Sequence, residues 1–298
     1  MTESEIYQGY TQVELDAQYD NRSRVPEHVD IHAAFQADGD AVLADFNARL
    51  DIPFGPSPEE TLDIYLPNGV SSEAGGAPVN VFLHGGYWFS RHKNDFRFLA
   101  RGLVPAGAIM VVVNYALIPS VDLDELVRQC RAAVAWTHDN AASFGGNPER
   151  IYVSGHSAGG HLTAMMMATD WPAFRDGLPG DLIKATTALS GIYDLAPIRM
   201  TFMQETLQFT PDQVTRYSPE FLRPATNAPL IIGVGGDESE EFLRQSDALM
   251  KAWGAGGGGS TDCSLMVLDG INHFTILGEY ANPESDLTRA VARQMGLG

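Results

Sequence analysis

The pentapeptide Gly155-His156-Ser157-Ala158-Gly159 constrains this chain more than any other stretch. It follows the short apolar run 150–153 and leads into a helical pattern that begins near Ala158. A serine on so sharp a strand-to-helix turn has a strained backbone, and flanking glycines relieve crowding with the neighbouring elements. The turn pushes the Ser157 hydroxyl out at the C-terminal edge of a sheet, beside the positive end of a helix dipole. Ser157 is therefore the candidate nucleophile, and its context demands strands connected through helices.

The rest of the chain supplies them. Residues 61–66 alternate like an edge strand, while 79–83, 108–113, 150–153, 185–189, 230–234 and 265–268 are short apolar runs of the kind buried in a parallel sheet. Helical patterns cover 122–144, with Val127, Cys130, Val134 and Trp136 as apolar positions, and then 158–169, 240–253 and 284–295. This alternation predicts the α/β class, a mostly parallel central sheet with helices on both faces. No break in composition divides the 298 residues, so a single domain over 1–298 is expected. Within it, 1–58 is a polar N-terminal segment patterned for short helices, broken by Pro26, Pro53, Pro56 and Pro58. Residues 194–227 form an insertion without a strand, containing Met200, Phe202, Met203, Leu207 and Phe209, which fits a lid and core packing equally. Gly256 to Ser260 reads as a flexible surface loop without chemistry.

Charge excludes some partners. Acidic residues outnumber basic ones 38 to 19, a net charge of -19. Such a surface repels phosphate backbones and anionic lipid, which argues against nucleic-acid and membrane partners. No apolar run approaches the roughly 20 residues that span a bilayer. The acidic start, Met1 to Glu5, lacks the basic-then-apolar pattern of a signal peptide, so a cytoplasmic location is expected. Cys130 and Cys263 match no metal spacing and are expected to be buried free thiols. Self-association as a homodimer stays open.

A serine hydroxyl needs a base, and the oxyanion formed in acyl transfer needs preplaced N–H donors. His84-Gly85-Gly86-Tyr87-Trp88 ends the 79–83 run, and two successive glycines let backbone approach such an oxyanion closely. Gly85 and Gly86, with the N–H of Ala158, are the expected donors, and His84 is expected to order the loop. Among the histidines, His156 is expected to face away from the nucleophile, and His161 to pack within its helix. His273, just beyond the last strand run, is the expected base, which gives the chain order serine, acid, histidine. The acid should follow the 230–234 run, in Gly235-Gly236-Asp237-Glu238-Ser239-Glu240-Glu241. Pattern alone does not choose between Asp237 and Glu238; Glu240 and Glu241 read as first-turn helix carboxylates. Tyr87, Trp88 and Phe89, with Tyr193 and Phe274, are the expected aryl-accepting pocket. Arg91, His92 and Lys93 read as a solvated turn rather than as contacts to a substrate carboxylate.

Together these motifs resemble the arylformamidase (kynurenine formamidase) branch of the hormone-sensitive-lipase-like α/β-hydrolases. The resemblance is carried by His84 to Trp88, by Gly155-His-Ser-Ala-Gly-Gly-His-Leu162, and by Glu241-Phe242-Leu-Arg-Gln-Ser246. Ser190-Gly-Ile-Tyr-Asp-Leu195 and Asn272-His273-Phe274 add to it, over about residues 60–295. It implies an α/β-hydrolase fold and a cofactor-free serine hydrolase working through an acyl-serine. It also implies Glu238 as the acid, four residues before Phe242, where the family carries aspartate; Asp237 is the alternative. The implied substrate is a small amide, an N-formyl aryl amine such as N-formyl-kynurenine, although the family includes members acting on other amides and esters. A short-chain carboxylesterase is the second reading. A hydrolase-fold binding protein without catalysis is the third, and the survival of serine, histidine and glycines weighs against it.

Overall fold

In the strand Ala77–Leu83 (β3), Val79, Val81 and Leu83 enter one hydrophobic cluster and Phe82 enters another. Strand Ile109–Val113 (β4) divides the same way, Ile109, Val111 and Val113 against Met110 and Val112. Side chains of a strand alternate in direction, so a run apolar at every position is covered on both faces. The covers are helical. The first cluster takes Leu126, Val127, Cys130 and Val134 from Leu123–Asn140, and Leu162, Met165 and Met166 from Ala158–Met167. The second takes Phe98, Leu99 and Leu103, with Leu287 and Val291 from Asp286–Gln294. Helix Leu123–Asn140 starts where the Asp122 carboxylate accepts the Glu125 N–H at 2.9 Å, satisfying one of its free first-turn donors.

The computed structural model describes residues 4–70, 75–255, 259 and 261–298. The remaining strands are Asn47–Pro53 (β1), Thr61–Leu66 (β2), Gly146–His156 (β5), Ile183–Leu189 (β6), Leu230–Gly235 (β7) and Cys263–Leu268 (β8). All eight form one sheet in the order β1-β2-β4-β3-β5-β6-β7-β8. β1 and β2 are antiparallel, as are β2 and β4, and every pairing from β4 to β8 is parallel. This is the α/β-hydrolase architecture that the sequence predicts. Among the described residues no helix is long and apolar enough to cross a membrane.

Two expectations change, and one open reading divides. β2 is not the edge: β1, largely exposed, lies outside it. The alternation in β2 misleads because Asp63 is buried, with the Lys93 ammonium 2.7 Å from its carboxylate. Residues 1–58 are likewise not all short helices. They form Gln12–Tyr19 (α1), Asn21–Arg24 (α2), the 18-residue helix His28–Asp45 (α3) and β1. In the 194–227 insertion, Met203, Leu207 and Phe209 join the first core cluster, whereas Met200 and Phe202 stay exposed. Of the Gly256 to Ser260 loop, all but Gly259 lies outside the described residues.

Candidate active site

β5 ends at His156 and the next helix begins at Ala158, which isolates Ser157 at φ 57 and ψ -120. That conformation costs an L-residue on the order of 1–3 kcal/mol. The surroundings hold it: the Ser157 N–H donates to the Leu189 carbonyl at 2.8 Å, at the end of β6. Helix and strand meet too closely for a larger residue at 159, where a Cβ would sit 1.9 Å from the Leu83 carbonyl oxygen. The Ser157 side chain, on a residue only 3% exposed, lines a cavity of about 230 Å³ beyond the C-terminal ends of the strands.

His273 lines the same cavity. Its Nδ1 lies 2.6 Å from Oε2 of Glu238, and both residues are buried. A carboxylate only accepts, so Nδ1 carries the hydrogen, and in the neutral ring the lone pair is then on Nε2. The other carboxylate oxygen, Oε1, accepts the Ser190 hydroxyl at 2.5 Å and the Gly235 N–H at 2.7 Å. Three donors thus satisfy a carboxylate that has left water, the condition under which burial of charge is tolerated. Asp237 is exposed, and the structure brings Glu238 rather than Asp237 to the imidazole. Phe242 packs against the His273 ring at 4.6 Å between centroids.

His156 does not face away. Its ring lies 4.6 Å from that of His273, and its Nε2–H donates to the His273 carbonyl at 2.7 Å. Burial, and then the nearness of His273, hold its pKa well below the ordinary imidazole value, so it stays neutral and pins the loop. His161 is buried too; its Nε2–H donates to the Tyr217 carbonyl at 2.8 Å, and burial pushes its pKa down to about 4. His84 stacks on Tyr115 at 4.2 Å and donates from Nδ1 to the Gly85 carbonyl at 2.8 Å, again pushed down to about 4 by burial.

The loop after β3 is strained along its length. Gly86 has φ 118, and Tyr87, Trp88 and Arg91 have φ 50, 60 and 79. A Cβ on Gly86 would lie 2.0 Å from the Ser90 carbonyl oxygen, so only glycine fits that bend. Gly85 and Gly86 both line the cavity. The N–H groups of Gly86 and of Ala158, the first residue of its helix, make no hydrogen bond among the described residues. Such free, preplaced donors are what an oxyanion requires.

Of the five expected pocket aromatics, Tyr87, Phe89 and Phe274 line the cavity. Trp88 and Tyr193 do not. Trp88 is fully buried, donating from Nε1 to His161 Nδ1 at 3.2 Å and meeting Phe209 edge-on at 5.5 Å. Tyr193 is fully buried in the third core cluster. Both belong to the core because of their neighbours: Trp88 packs against His161 and Phe209, and the Tyr193 N–H donates to the buried Gln245 Oε1 at 2.6 Å. The turn at 91–93 is also not simply solvated. Lys93 is fully buried between Asp51, at 2.6 Å, and Asp63, while Arg91 lines the cavity.

Sequence reasoning missed Ser190, His156 as a loop anchor, and the whole contribution of the N-terminal helices, of which Tyr19, Asn21, Arg22 and His32 line the cavity. Ser190 stood in a motif already noted; the N-terminal residues carry no motif at all. Cys130 is buried, Cys263 is half-buried, and both are free thiols. Among the described residues no group of three His, Cys, Asp or Glu side chains is arranged to hold a metal.

Comparison with known proteins follows the same lines. The BD-FAE family model matches residues 62–252. Kynurenine formamidase of Danio rerio is 34% identical over 252 residues, covering 83% of this chain and 82% of its own. That of Salmo salar is 32% identical over 255 residues, with coverage of 83% and 82%. Among solved structures, a candidate thioesterase from Silicibacter sp. matches at TM-score 0.80 and 29% identity, over 94% of this chain and 99% of its own. Esterase B of Lactobacillus rhamnosis shares the fold alone, at TM-score 0.69 and 18% identity, over 93% and 96% of the two chains. The chain is a member of the BD-FAE family, an arylformamidase-like hydrolase with the α/β-hydrolase fold.

Proposed function

We propose that this enzyme deformylates a small aryl amide of the N-formyl-kynurenine type through an acyl-serine on Ser157. The observation that carries the reading is the 2.6 Å contact of His273 with Glu238, beside a cavity that Ser157 also lines. His273 Nε2 takes the hydroxyl proton as Ser157 Oγ attacks the formyl carbon. The N–H groups of Gly85, Gly86 and Ala158 receive the oxyanion. Glu238 holds the imidazole in its Nδ1–H tautomer and stabilises the imidazolium. The imidazolium then protonates the leaving amine, since an unprotonated amine leaves badly. Water, with His273 again as base, attacks the formyl-serine ester, releasing formate and restoring the hydroxyl. Every group in this cycle is a side chain or a backbone amide.

Tyr87, Phe89 and Phe274 favour an aryl leaving group in the cavity, and the two kynurenine formamidases among the relatives support an amide substrate. The free thiols support a reducing, cytoplasmic setting. Turnover of an N-formyl aryl amine and of p-nitrophenyl acetate, each with Ser157→Ala as blank, tests the reading. Deformylation lost in the blank is the expected result. Ester turnover with no deformylation would reassign the enzyme as a short-chain carboxylesterase. Failure of an organophosphonate to label Ser157 would leave only a binding protein.

A further inference from the structure

We propose that Arg22 and Arg91 form a carboxylate-binding subsite on the solvent side of the cavity, selecting substrates whose leaving group is anionic. This rests on the hydrolytic reading of the same cavity.

The two guanidinium groups come from separate elements, the short helix α2 and the strained loop after β3, and both line the cavity. Neither makes an ion pair among the described residues. By contrast, Arg128, Arg216 and Arg244 are each held by carboxylates at 2.5–2.8 Å. Arg91 is partly buried, and its pKa is lowered by burial and by the charge of Arg22, against the pull of Asp95. Two like charges thus line one cavity, beside Asp20, and Arg91 has a backbone φ of 79 that an arginine rarely adopts. The nearby acids are otherwise engaged. Asp20 accepts from the Ser23 N–H at 3.2 Å and the Ser23 hydroxyl at 2.6 Å, and Asp95 accepts the His92 N–H at 3.2 Å. A planar, forked guanidinium pair in this state suits a carboxylate bonded by both partners.

Two further polar atoms extend the pattern. Asn21, 3% exposed, donates from Nδ2 to the Tyr87 hydroxyl at 3.0 Å, while its Oδ1 is buried without a partner. His32 likewise has a buried Nε2 without a partner among the described residues, and burial, then Arg91, push its pKa down to about 4. An unpaired buried acceptor costs free energy until a donor arrives. Asn21 Oδ1 therefore suits a substrate N–H beside the carboxylate that the arginines hold. Arg22, Asn21 and His32 come from the N-terminal helices, outside residues 62–252 matched by the family model, while Arg91 lies within them.

The test uses two matched pairs on the full chain: a carboxylated N-formyl aryl amine with its neutral carboxamide analogue, and a carboxylated phenyl acetate with its carboxamide analogue. The readout is the charged-to-neutral ratio of kcat/KM. Wild type should favour the charged member, and Arg22→Gln and Arg91→Gln should each lower the ratio about tenfold or more, chiefly through KM. Arg24→Gln, exposed and outside the cavity, serves as control and should keep the wild-type ratio. Arg22 is exposed, so its variant keeps the question answerable even if Arg91→Gln folds poorly. A ratio within about twofold of wild type in the Arg22→Gln and double variants overturns the subsite. If only the acetates are cleaved and the arginines still set their ratio, the formamide reading falls and the subsite stands.

Discussion

Glu238 meets His273 with Oε2 and leaves Oε1 to Ser190 and Gly235, so both oxygens of this buried carboxylate are bonded. The division of labour between the oxygens makes the acid assignable by substitution. In Glu238→Gln, an amide NH2 turned to His273 would donate to Nδ1 and force the hydrogen onto Nε2, which can then no longer accept from Ser157. The expected loss in kcat is about 10³–10⁴-fold. Asp237→Asn, on an exposed side chain, should stay within about twofold of wild type by the same measure. Steady-state kinetics on one substrate checks both, and equal losses would mean that the loop rearranges to use either acid.

Gly86 tests the oxyanion loop. Ala at this position meets both the φ of 118 and the Ser90 carbonyl, so the backbone must shift and its N–H with it. Gly86→Ala should lower kcat by about 10²-fold or more, with KM less affected. Gly69→Ala is the matched control: its φ is 72, yet no atom lies within 4 Å of the added Cβ. It should cost some thermal stability and leave kcat unchanged. A Gly86→Ala enzyme with wild-type kcat would remove this loop from the chemistry.

Much of this was legible in the sequence, and the misses share a cause. The strand runs, the turn at Ser157 and the position of His273 follow from patterns local in the chain, where periodicity and turn chemistry act directly. The order β1-β2-β4-β3 was hidden because Asp63 is a buried charge whose partner, Lys93, comes 30 residues later. Trp88 and Tyr193 were misread for a related reason: a large aromatic beside a loop glycine can serve the rim or the core, and only its distant neighbours decide. For Trp88 those neighbours are His161 and Phe209. Glu238 against Asp237 was undecidable by pattern, since adjacent loop residues differ only in the direction the backbone gives them.

Lys93 makes that hidden pairing measurable. Its ammonium is buried with Asp63 at 2.7 Å, and Asp63 is itself fully buried, with Arg97, at 3.8 Å, as the one other cation beside it among the described residues. Lys93→Met leaves a carboxylate stranded in the core and should cost about 3–5 kcal/mol. Adding Asp63→Asn removes the stranded charge and should recover more than half of that loss. Urea denaturation of the two variants checks the sequence of effects. A single-variant cost below about 1 kcal/mol would mean that Arg97 takes over the partnership.

Acid should destabilise the fold through its buried imidazoles. His84 and His161 are pushed down to about 4, and His156 lies well below its ordinary value, in each case chiefly by burial. The unfolded chain takes up these protons near pH 6.5, where the folded protein refuses them. Their contribution to stability is therefore whole above about pH 6.5 and is lost progressively as pH falls toward the folded values, about 4 for His84 and His161. Each histidine contributes a slope of about 1.4 kcal/mol per pH unit inside that window. Tm should accordingly fall by several degrees between about pH 7 and pH 5, before most carboxylates titrate. A Tm that stays level across that interval would mean that these rings gain protons in place, with water or an acceptor reaching each one.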